Sequence, residues 1–161
     1  MTFFDLPQNW RDRPLTEQPL ATNVADLYCT AGDRRRGALT LIICDEKDRF
    51  KGAIAIDLRD LTPDPPSPNT PKASASTPIR RAAALRPVIR PLQVYPGGAL
   101  ILTLGRKGPS ATTTTDREWA EGATRACRSL GVRLLTFYIA SRDQVFPADL
   151  TTSITNLPTA A

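Results

Sequence analysis

Apolar and polar positions alternate in blocks along this chain, and the blocks mark its elements. Residues 38–44 (Ala, Leu, Thr, Leu, Ile, Ile, Cys) form an uninterrupted β-rich run that reads as a strand buried on both faces. A polar turn over 45–48 follows, and residues 50–58 read as the returning strand of a hairpin. Residues 99–104 are the clearest central strand, and 132–140, rich in branched and aromatic residues, form another. Between them Trp119, Ala123, Ala126, Cys127 and Leu130 fall on one helical face. Thr115 and Glu118 match a capping box at its start, and Gly131 stands where a C-cap is expected. Val24, Leu27 and Tyr28 predict a short helix over 22–30, and 32–37 read as a turn. Residues 79–85 predict another short helix, stopped by Pro87 and Pro91, with Val88, Ile89 and 92–95 extended.

These elements predict a fold of the α/β (α+β) class: one domain over 22–150, with a mixed central β-sheet and packed helices. An N-terminal arm over 1–21 carries Phe3, Phe4 and Trp10, apolar enough to tuck against the domain or to meet a partner. The inserted loop 60–78 holds six prolines between 62 and 78 and cannot sustain regular backbone pairing, so it reads as disordered or as a binding segment. The tail 151–161 is Thr-, Ser- and Ala-rich and is expected to be flexible.

Composition narrows the chemistry. The 161 residues contain no histidine, which removes the Ser-His-Asp triad, the Cys-His pair and any histidine-ligated zinc. Three cysteines make neither a four-thiolate site nor a disulfide scaffold; Cys44 and Cys127 read as core, and Cys29 as more exposed, with no base beside it. The formal charge of +5 mildly favours anionic partners. No apolar run is long enough to span a bilayer and no signal segment stands at the N-terminus, so a cytoplasmic protein is expected.

The order of elements over residues 24–147, including the Leu130-Gly131 entry into the last long strand, resembles the JAB/MPN (JAMM) metalloprotease family and especially its RadC-like branch. The resemblance implies a cytidine-deaminase-like single domain. That family's metal motif has two histidines separated by one residue, then seven residues, then Ser-x-x-Asp. Counting back from Asp116 places Thr113 at the serine and Thr103 and Gly105 at the histidines, so only Asp116 keeps a ligand type. The family's catalytic glutamate has no counterpart; Glu46 falls in a turn. The resemblance therefore implies a metal-free relative without cofactor or peptidase activity, acting as a protein-interaction or scaffold module, alone or as a homo-oligomer.

Two other features carry candidate chemistry. Arg106, Lys107, Gly108 and Ser110 link a strand to a helix N-terminus and can form an anion-binding loop, although the terminal Gly-Lys-Ser/Thr of a phosphate-binding loop is missing. Arg34, Arg35, Arg36, Arg80, Arg81, Arg86 and Arg90 form a basic surface if folding brings them to one face, the basis for an alternative role as a nucleic-acid accessory protein. A hydrolase with a non-histidine site is the third reading; it requires Asp116 to converge with Arg106 or Lys107 and a second carboxylate. Without such convergence Asp116 is a helix-start acid favoured by the dipole.

Overall fold

The computed structural model describes residues 2–61 and 77–150. A five-stranded sheet forms from β1 (Ala38–Cys44), β2 (Phe50–Asp57), β3 (Ala99–Gly105), β4 (Arg133–Ala140) and β5 (Val145–Pro147), in the order β2-β1-β3-β4-β5. Among the described residues four α-helices accompany it: α1 (Leu20–Tyr28), α2 (Ala31–Arg36), α3 (Thr77–Ile89) and α4 (Thr114–Leu130). β1 is antiparallel to β2 and to β3, whereas β3 and β4 are parallel and joined through α4. The mixed sheet with packed helices is the architecture expected of the apolar runs. β3 is buried at every residue, because it is central and covered on both faces.

The two faces carry separate cores. Leu39, Leu41, Leu100, Leu102 and Ile139 meet Leu85, Ile89, Trp119 and Ala123 of α3 and α4. On the other face Ile42, Ile101 and Tyr138 meet Leu6, Trp10, Leu15, Leu20 and Val24. The N-terminal arm is therefore a layer of the domain: Trp10 is buried and its ring lies 5.0 Å from that of Phe50, while Phe4 remains almost fully exposed. α3 and α4 approach closely at Gly122, where a Cβ would stand 2.5 Å from the Cβ of Arg81. Arg81 in turn caps the buried Trp119 ring at 4.3 Å.

Several local expectations are corrected. Residues 31–36 form a helix rather than a turn, because Thr30 and Asp33 make a capping box and Gly37 (φ 82°) ends it. α3 runs through Pro87 to Ile89, and a 3-10 turn over Arg90–Val94 replaces the expected extended segments. Proline costs one backbone hydrogen bond near the helix end, and burial of Leu85 and Ile89 outweighs it. Residue numbers 62–76 and 151–161, which include most of the proline-rich loop and the whole tail, lie outside the described residues. Among those described, no helix is long and apolar enough to cross a membrane.

Candidate functional site

The end of the sheet where β3 and β4 finish holds most of the unusual chemistry. α4 begins two residues earlier than its sequence suggested, with Thr113 as N-cap in place of Thr115. The Thr113 hydroxyl accepts from the Asp116 N–H at 3.2 Å, and the Thr113 N–H donates to Asp116 Oδ2 at 2.8 Å. This box prevails over the Thr115–Glu118 alternative because its acid has a second partner. Arg106 Nε donates to Asp116 Oδ1 at 2.8 Å and Nη2 to Oδ2 at 2.6 Å, a two-pronged ion pair.

Asp116 is completely buried. Burial alone would push its carboxyl up, but the Arg106 and Thr113 hydrogen bonds and the guanidinium charge outweigh that and hold it below the usual range. Arg106 also donates to the carbonyls of Lys107, Pro109 and Ala111, at 3.2, 2.9 and 2.9 Å. It thus folds the loop after β3 around itself. Of the expected anion-binding loop, Arg106 is turned inward and the α4 start is capped by its own residues, while Lys107 and Gly108 stay exposed. Ser110 Oγ lies 2.8 Å from Ser141 Oγ and ties this loop to the one after β4.

The four metal-motif positions do not converge. Thr103 follows the alternation of Ile101 and so faces the α1 side of the sheet, whereas Asp116 stands on α4 across it. Thr103 is buried beside its cross-strand partner Thr40, and neither hydroxyl finds a hydrogen-bond partner among the described residues. At Gly105 a Cβ would lie 2.7 Å from Cys29 Sγ and 3.5 Å from Arg34 Cα, so no larger side chain fits there. Cys29 is consequently buried rather than exposed. Burial pushes its thiol up, only partly offset by the Arg34 guanidinium. Among the described residues, no three His, Cys, Asp or Glu side chains gather into a metal-binding group.

The seven basic residues also divide. Arg34 is buried: Nε donates to Cys29 O, Nη1 to Ser141 O, and Nη2 to both the carbonyl and carboxylate of Asp26. Arg36 pairs with Asp33. Arg80, Arg81, Arg86 and Arg90 lie on α3 and the turn after it, with Arg81 over Trp119 and Arg86 on Ser129. One face does not form.

A different basic grouping does. A cleft of about 600 Å³ opens between α2 and the loops following β3 and β4, lined by Arg34, Arg35, Arg106, Lys107, Arg142 and Asp143, with Ala31 and Gly108. Arg142 and Asp143 carried no motif in the sequence. The available signal was topological: parallel neighbours deliver their following loops to the same end of the sheet. Asp116 is not on the cleft lining, and the acid exposed there is Asp143. The convergence of Asp116 with Arg106 is therefore a closed ion pair rather than an open pair of carboxylates. Comparison with known proteins returned no match: no family model, no curated protein and no solved structure aligns with this chain.

Proposed function

We propose that this chain is a metal-free, non-catalytic domain of JAB/MPN-like type, which works by binding other molecules. One observation carries the reading. The single carboxylate that matches the family's metal motif, Asp116, is fully buried with both oxygens taken by Arg106. A guanidinium thus supplies the positive charge that this carboxylate needs, and a fixed cation that can neither bind water as a metal does nor polarise it has no route to hydrolysis. The filled space at Gly105 leaves no room for a histidine and so supports the metal-free part of the reading, while the JAB/MPN part rests on the order of hairpin, strand, helix and strand. Exposed Phe4, Val94 and Tyr95 offer apolar contact for a protein partner.

The test is metal retention by the whole protein. After incubation with zinc chloride and desalting, elemental analysis is expected to find zinc far below one ion per chain, with no cleavage of an isopeptide-linked substrate. Stoichiometric zinc, or zinc-dependent cleavage, overturns the proposal.

A further inference from the structure

The basic cleft is built unlike an ordinary charged surface. Two of its arginines are consumed in holding its walls. Arg34 ties α2 to the Ser141 carbonyl after β4, and Arg106 gathers the loop after β3 onto α4. The other three cations on its lining, Arg35, Lys107 and Arg142, are exposed and have no hydrogen-bond or ion-pair partner among the described residues. They line one cleft, and among the described residues Asp143 is the acid on that lining. Like charges held together on a pre-formed wall are a cost to the free protein that a multiply charged anion removes.

We infer that this cleft is a binding site for a small phosphorylated molecule, recognised through a phosphate monoester or diphosphate group held by Arg35, Lys107 and Arg142. Three observations select that class. The surplus of charge calls for a ligand with at least two negative charges. The volume falls in the range of small-molecule pockets, roughly 300–1,000 Å³. The cleft lies at the carboxyl ends of the parallel pair β3 and β4, where open sheets present ligand sites. Among the described residues no aromatic side chain lines it, so a base or ring has no aromatic platform and the phosphate is the group chiefly read. The same absence disfavours a nucleic-acid strand, which wants aromatic faces along a continuous basic track. Arg80 on α3 belongs to another element and is not part of the lining.

Titration calorimetry of the full chain at low salt decides the matter, with pyrophosphate, ADP, adenosine and a short single-stranded oligonucleotide as probes. Pyrophosphate and ADP should saturate with dissociation constants below about 1 mM and within a few-fold of each other, while adenosine gives no heat. Lys107→Glu and Arg142→Glu should each weaken pyrophosphate about tenfold or more, as loss of a charge-assisted contact does. Both positions are exposed, so the melting temperature should hold; Arg35→Ala serves as a third variant if either fails to fold. Arg80→Glu should bind like the wild type. The inference is overturned if pyrophosphate does not saturate or if the cleft variants bind unchanged. It is overturned equally if Arg80→Glu loses as much, or if the oligonucleotide binds and pyrophosphate does not.

Discussion

Replacing Asp116 by alanine tests the central ion pair most directly. The carboxylate has no exposure and accepts three hydrogen bonds, two from Arg106 and one from the Thr113 N–H. Its removal leaves the guanidinium, whose side chain is only 14% exposed, without a counter-ion, and it breaks the box that starts α4. Cutting one partner from a buried pair costs about 3–5 kcal/mol. Arg106 keeps its three carbonyl acceptors, which places the loss at the lower end, about 3–4 kcal/mol. Against a total stability of about 5–15 kcal/mol this is a large share. The melting temperature should fall by about 6–16 °C for a chain of this size. Urea titrations followed by circular dichroism measure the free-energy loss, and a thermal scan the fall in melting temperature. In the Arg106→Met, Asp116→Ala double variant no charge is stranded, and the cycle should show a coupling of about 2–3 kcal/mol. A single-variant loss below about 1 kcal/mol, or additivity within about 0.5 kcal/mol, would refute the reasoning.

Two further outcomes follow from the same end of the sheet. The folded Asp116 carboxyl sits below its unfolded value of about 3.9, so its contribution is complete above about pH 5 and is lost as pH falls from there through the folded value. The wild-type urea midpoint should therefore drop more steeply between about pH 5 and 3 than that of Asp116→Asn, and parallel acid limbs would contradict this. Gly105→Ala should cost about 1–3 kcal/mol, because its Cβ would stand 2.7 Å from Cys29 Sγ. Adding Cys29→Ala should return part of that loss in the same urea assay; no recovery would mean that the sulfur is not the obstacle.

β2 and α1 were read from turn placement and helical spacing, and the most legible elements were those whose burial forces a continuous apolar run. β1, β3 and β4 fall in this class, and so does the apolar face of α4 with its Gly131 cap in the left-handed region at φ 68°. What escaped was set by polar partnerships between distant segments. Two threonine-acid boxes competed at the start of α4, and only the position of Arg106, ten residues upstream, chose between them. α2 was hidden because glycine and an arginine run resemble a turn, although Thr30 and Asp33 already spelled its cap. The cleft could not be read as a motif, since Arg35, Lys107 and Arg142 are brought together by strand order and not by spacing. Cys29 looked exposed until Gly105 on β3 supplied the space that its sulfur fills.

The N-terminal layer has a consequence for synthesis. Leu6, Trp10, Leu15 and Val24 leave the ribosome before the strands they pack against, since the surface they cover comes from Ile42 of β1, Ile101 of β3 and Tyr138 of β4. Gln18, near the start of the chain, donates to the Tyr138 hydroxyl at 2.7 Å across a separation of 120 residues. Trp10 can meet Phe50 early, but the full cover of this segment must wait until β4 has emerged. At about 5–20 residues per second that interval lasts several seconds or more. During it the part of the arm that packs on β3 and β4 is open to chaperones and to other nascent chains.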